Sequence, residues 1–161
     1  MATTNKDLSA YDRSKVPDAG LLRFGLVVSE WNAEITEALY QGAYDALTDC
    51  GASPENIIRW NVPGSFELTF GCKKLLTTKK VDAVIAIGNV IRGETSHFDY
   101  VCSATALGIK DLNMAYDVPV IFCVLTDDTI AQSRARSGGV HGNKGVEAAI
   151  AAIQMAVLGR D

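Results

Sequence analysis

Four short apolar runs constrain this chain most. Arg23–Ser29, Ile57–Val62, Ala83–Val90 and Val118–Leu125 are hydrophobic without strict alternation. Strands of that kind are buried on both faces, the mark of a parallel sheet covered by helices. Helical periodicity fills the gaps. From about Glu34, apolar residues recur as Ile35, Leu39, Ala43, Ala46, Leu47 and Cys50, and Gly51 ends that helix. Phe66–Thr77 and Phe98–Tyr116 read as the next two helices. Thr126, Asp127 and Asp128 offer cap oxygens for a short helix over Thr129–Ser137, and Gly138–Asn143 reads as a glycine-rich loop. Lys144–Leu158 is a final Ala-rich helix. The order β-α-β-α-β-α-β-α-α with right-handed crossovers predicts a three-layer α/β/α domain, doubly wound on a four-stranded parallel sheet. Residues 1–22 lack this periodicity and are expected to be an N-terminal arm, ordered only where it docks. Residues 23–161 are expected to be one domain.

Charge and composition exclude several functions. A formal charge of −4 leaves no basic footprint for nucleic acid, so any anion must be held by a few local cations and backbone N–H groups. Apolar runs such as Ala83–Ile87 are far short of the roughly 20 residues of a membrane span, so no membrane association is expected. Met1–Gly20 is polar and lacks the apolar core of a secretory signal. Cys50, Cys72, Cys102 and Cys123 are scattered through apolar segments with no CxxC pair, which predicts reduced, buried thiols in a cytoplasmic protein. With His97 and His141 as the only histidines, no metal site is expected.

Ligands of open α/β sheets sit beyond the carboxyl ends of the strands, so the β→α loops should carry the chemistry. After the first strand comes Ser29-Glu30-Trp31-Asn32, and after the second Pro63-Gly64-Ser65-Phe66-Glu67. Trp31 and Phe66 could form a platform for a flat ring, although strand-end aromatics also serve as ordinary edge-of-core packing. Glu67 by itself reads as a first-turn acid complementing a helix dipole. The third loop runs from Gly88 to Asp99. Its Gly88 and Gly93 have GxxxxG spacing, but Glu94 stands where a nucleotide-binding P-loop needs lysine. The loop still enters a helix N-terminus, where backbone amides, with Arg92, Thr95 and Ser96, suit a phosphate monoester. His97 is the best acid–base candidate, though a lone histidine is often structural. Asp99 would orient it or cap the helix. Arg136 and Lys144 flank the glycine-rich loop. A lysine at a helix start is unfavourable unless an anion lies near.

Together, Pro63–Glu67, the run Gly88-Asn89-Val90-Ile91-Arg92-Gly93-Glu94-Thr95-Ser96-His97-Phe98-Asp99 and Gly142-Asn143-Lys144-Gly145 strongly resemble the 6,7-dimethyl-8-ribityllumazine synthase family, from about Arg23 to Leu158. That resemblance implies a flavodoxin-like subunit with no metal or organic cofactor. It implies condensation of 5-amino-6-(D-ribitylamino)uracil with 3,4-dihydroxy-2-butanone 4-phosphate to the lumazine, phosphate and water, in riboflavin biosynthesis. It further implies a homo-oligomer, pentamer or 60-mer, with active sites between adjacent subunits. The short, glycine-rich Ser137–Asn143 loop resembles members that close into icosahedral capsids. A riboflavin synthase is a further partner the resemblance admits.

By position, the resemblance gives Trp31, usually phenylalanine in the family, the ring-stacking role, with Asn32 beside it among the substrate contacts. It gives Ser65, Phe66, Glu67, Asn89, Val90 and Ile91 the pyrimidine and ribityl contacts. Glu94 and Thr95 fall in the phosphate turn, and His97 is the proton-transfer residue. Phe122 and Arg136 would reach a site from the adjacent subunit, the arginine holding phosphate, with Lys144 a second cation. Glu94 departs from the small or neutral residue common in the turn, so phosphate there would be held by backbone N–H groups with the carboxylate turned away. A non-catalytic flavin- or pterin-binding flavodoxin-like module and an archaeal-type riboflavin synthase are the rival readings.

Overall fold

Phe24–Ser29 (β1), Ile57–Val62 (β2), Ala83–Ile91 (β3) and Val120–Asp127 (β4) pair in parallel in the order β2-β1-β3-β4 in the computed structural model, which describes residues 7–160. The helices are Ala33–Asp49 (α1), Leu68–Thr78 (α2), His97–Ala115 (α3), Ile130–Arg136 (α4) and Lys144–Ala156 (α5). The strand alternation sorts side chains into two cores. On one face Leu26, Val28, Ile85, Ile87 and Leu125 meet Ile35, Leu39 and Leu47 of α1 and Ala149 and Ile153 of α5. On the other, Val27, Val84, Ala86 and Val124 meet Leu68, Cys72 and Leu75 of α2 and Ile109 and Leu112 of α3. Each fully buried aliphatic side chain contributes roughly 1.5–3 kcal/mol.

Burial on both faces holds for the central strands. Every residue of β1 is buried, as are the first seven of β3, whereas β2 and β4 at the edges are partly open. Helices α1 and α5 approach so closely that a Cβ at Gly145 would strike the Leu39 carbonyl. Gly51 follows α1 with φ of 100°, the left-handed stop its position predicts.

Two local expectations need correction. The fourth strand starts at Val120 and runs to Asp127, because pairing with β3 continues to Ile91↔Asp127. Thr126 and Asp127 are therefore strand residues, and Thr129 caps α4. Thr129 accepts from the Gln132 amide while the Gln132 side chain accepts from the Thr129 amide, a reciprocal capping box. The glycine-rich stretch is a small antiparallel ribbon, Ser137–Gly139 (β5) with Gly142–Asn143 (β6).

Residues 7–22 lie against this frame. The Leu8 amide donates to His141 O at 2.9 Å, the Asn143 amide to Ser9 Oγ at 2.8 Å, and the Tyr11 hydroxyl to Asp49 at 2.6 Å. Val16, Ala19 and Leu22 join the α1–α5 core. Residues 1–6 of the expected arm lie outside the described residues. Cys50, Cys72 and Cys123 are buried free thiols and Cys102 is half-buried. Burial pushes the Cys72 and Cys123 thiols up to about 12. Among the described residues no helix is long and apolar enough to cross a membrane.

Candidate active site

In the order β2-β1-β3-β4 the chain reverses direction across the sheet between β1 and β3, and the loops leaving those strands part to opposite faces. A cavity of about 640 Å³ lies over that point, within the usual size for a small-molecule site.

From β1 come Trp31 and Asn32. Asn32 has φ 60° and ψ 48°, the one left-handed non-glycine among the described residues, a conformation asparagine tolerates better than most. It occupies the cap position of α1, yet its side chain makes no cap bond. Its Nδ2 donates instead to Asn89 Oδ1 at 2.8 Å. The loops after β1 and β2 are stitched together by Glu30 N–H to Val62 O at 2.8 Å and Trp31 N–H to Pro63 O at 3.2 Å. This brings Trp31 and Phe66 to one rim, the residues 70% and 59% exposed, with surface available for stacking. Ser65 is buried beneath them. Its hydroxyl donates to Asn89 O at 3.3 Å and packs where a Cβ on Gly88 would have to lie. Glu67 stands at the start of α2.

From β3 come Asn89, Val90 and Ile91, then the loop into α3. Arg92 does not extend into that loop as an anion donor. Its Nε donates to Asp128 at 2.9 Å and its Nη2 to Asp99 at 3.2 Å, with the guanidinium 4.1 Å above the Phe98 ring. The two carboxylates hold that guanidinium still more firmly in its charged form than usual. Asp99 is thereby committed to Arg92. Ser96 caps α3 without a side-chain bond; the Asp99 amide turns back to Ser96 O at 3.0 Å, which leaves the Phe98 amide of the first turn for an anion or water. Thr95 Oγ1 accepts weakly from the His97 amide at 3.4 Å.

Trp31, Asn32, Ser65, Phe66, Glu67, Asn89, Val90, Ile91, Thr95 and His97 all line this cavity. Glu94, Phe122, Arg136 and Lys144 do not. Glu94 is exposed on the loop. Phe122 is 37% exposed on the edge strand β4. Arg136 ends α4, donating to Gln132 O at 3.1 Å. Lys144 bonds Glu147 at 2.9 Å. The sequence reading missed Gly64, Gly93, Phe98 and Val101 in the lining. Val101 was within reach, since it stands one helical turn after His97 and shares its face. It also missed Ser133 and Asp127 behind the wall. Asn89 Nδ2 donates to Ser133 Oγ at 2.9 Å, and Ser133 Oγ to Asp127 Oδ2 at 2.8 Å.

An open parallel sheet in this order, carrying a mixed aromatic and polar cavity at its point of reversal, defines a flavodoxin-like α/β ligand-binding domain. The sequence model of the 6,7-dimethyl-8-ribityllumazine synthase family matches residues 21–160. A protein of that name from Christiangramia forsetii is 63% identical, over 100% of this chain and 96% of the relative. Those from Flavobacterium johnsoniae and Porphyromonas gingivalis are 65% and 52% identical, covering 98% and 99% of this chain and 83% and 99% of their own lengths. The chain belongs to the 6,7-dimethyl-8-ribityllumazine synthase family.

Proposed function

We propose that this cavity condenses 5-amino-6-(D-ribitylamino)uracil with 3,4-dihydroxy-2-butanone 4-phosphate, releasing 6,7-dimethyl-8-ribityllumazine, phosphate and water. The observation that carries the reading is the convergence of Trp31, Phe66, Asn89, Thr95 and His97 on one hollow in a chain of this family. Trp31 and Phe66 hold the flat ring, and Ser65, Glu67, Asn32, Asn89 and the β3 residues Val90 and Ile91 bond its edge and the ribityl chain. The phosphate lies at the N-terminus of α3, held by backbone amides near Glu94 and by Thr95. His97, the first residue of that helix, moves protons between the two reactants.

Amine and ketone are reactive partners, so alignment is the main contribution, up to roughly 7–11 kcal/mol. Proton transfer by His97 adds on the order of 10²–10⁴-fold. Imine formation at the 5-amino group expels a first water; loss of phosphate, ring closure by the ribityl-bearing nitrogen onto the remaining carbonyl and loss of a second water follow.

Phe122, Arg136 and Lys144 complete a neighbour's site, with Arg136 forking onto the phosphate and Lys144 a second cation near it. Homo-oligomerisation is supported by apolar side chains left bare in the single chain. Tyr100, Leu107 and Met114 recur every seventh residue along α3 at 75%, 59% and 80% exposure, and Phe70 of α2 is 69% exposed. Large apolar side chains left exposed on one helix face belong in a subunit interface. The assembly is a pentamer or an icosahedral 60-mer working in the cytoplasm, with a riboflavin synthase as its downstream partner. Light scattering separates a particle of about a megadalton from one roughly twelve times smaller, given a 17.2 kDa chain.

The test of function is to mix both substrates with the protein. Lumazine absorbance and phosphate should appear together in equal amounts. Ligand binding without phosphate release, or riboflavin formed from lumazine alone, would overturn the reading.

A further inference from the structure

We propose that Ser133 and Asp127, neither of which touches the cavity, are positioning residues that set which way the Asn32 amide faces and so select a hydrogen-bond donor on the ring-bearing substrate. The inference rests on the proposed binding of the pyrimidinedione in this cavity.

Asp127, 9% exposed, offers a carboxylate, and a carboxylate only accepts. The Ser133 hydroxyl, fully buried, must therefore donate its single hydrogen to Asp127 Oδ2 at 2.8 Å. Its oxygen is then left to accept, and the partner at 2.9 Å has to be the NH₂ end of Asn89. With its NH₂ end held there, Asn89 turns its oxygen to the cavity side, where it accepts from Asn32 Nδ2 at 2.8 Å. No step in this chain can be reversed without leaving a buried polar group unpaired, a cost of about 1–3 kcal/mol. An amide that is free to flip has no preference of its own. Here a carboxylate three links away imposes one.

The consequence falls on Asn32. Drawn towards Asn89, it gives up the usual cap bond of α1 and holds a left-handed backbone. Its Oδ1 has no protein donor among the described residues, and Asn32 lines the cavity. The wall there offers a fixed acceptor, suited to a ring N–H or a polyol hydroxyl and not to a phosphate oxygen. The device is invisible to a ligand that binds only at the start of α3. It depends on α4 presenting Ser133 to the end of β3, which the Thr129–Gln132 capping box secures.

Calorimetry on the assembled protein tests this, with the ribitylamino-pyrimidinedione and inorganic phosphate titrated separately. Ser133→Ala should weaken the pyrimidinedione about tenfold and phosphate less than twofold. In an Asn89→Ala background the same change should add nothing, because Ser133 acts through Asn89. Ser133→Cys, which keeps the volume but is a weak hydrogen-bonding group, should show the same selective loss if Ser133→Ala does not fold. Equal weakening of both ligands, an unmoved pyrimidinedione affinity in the folded variants, or additive losses in the double variant would overturn the inference. A wild-type protein that fails to bind the pyrimidinedione would instead refute the functional reading. Tight wild-type binding with an unmoved variant refutes only the role of Ser133 and Asp127.

Discussion

Arg92 Nε donates to Asp128 Oδ1 at 2.9 Å, tying the loop after β3 to the loop after β4. The same guanidinium reaches Asp99 in the first turn of α3 and lies over Phe98. One side chain thus closes a turn whose amides are proposed to hold phosphate. Arg92→Ala should lower kcat/KM for the butanone phosphate about tenfold with the fold intact. Arg92→Lys should restore little, because an ammonium cannot fork between two carboxylates while stacking on a ring. Steady-state kinetics with wild-type values for either variant would count against the clasp.

His97→Ala should reduce kcat by about 10²-fold yet leave activity above the uncatalysed reaction. The remaining rate measures alignment by the cavity. A drop to the uncatalysed rate would mean that positioning is not the main contribution.

Arg136 ends α4 with its guanidinium exposed and is proposed to serve an adjacent subunit. Arg136→Ala should raise KM for the butanone phosphate tenfold or more while moving that for the pyrimidinedione less than twofold. Equal losses for both substrates would contradict a phosphate role.

Tyr11 fastens residues 7–16 to the end of α1 through Asp49, and that hydrogen bond, with lesser help from burial, raises its hydroxyl to about 12 from an ordinary 10. A folded value above the unfolded one stabilises the protonated form. The contribution is whole below about pH 10 and is lost as pH rises through 12. Thermal midpoints should therefore fall across pH 10–12 in the wild type. Tyr11→Phe should start lower at neutral pH and show a smaller decline across that window.

What could be read from the sequence follows physical range. The central strands declare themselves because burial on both faces demands unbroken apolar runs, as Val84–Ile87 shows. Trp31, Ser65–Glu67 and Asn89–His97 declare themselves because each follows a strand, and the parallel topology gathers strand ends. The cap of α4 was misplaced because sheet pairing at Ile91↔Asp127 outweighs the local preference of Asp127 for a helix start. The β5–β6 ribbon has no alternation to reveal it, being short and glycine-rich. Asn89–Ser133 could not be read at all. Those residues lie 44 positions apart, and their meeting depends on strand order and on the rotation of α4.

The most direct measurement is an experimental structure of the assembled protein with a ribityl-pyrimidinedione analogue and phosphate bound. The ring should lie against Trp31 and Phe66, with His97 between the two ligands and phosphate at the start of α3 within hydrogen-bond reach of a neighbouring chain's Arg136. A ring seated in another hollow, or every Arg136 remote from the phosphate, would contradict that arrangement.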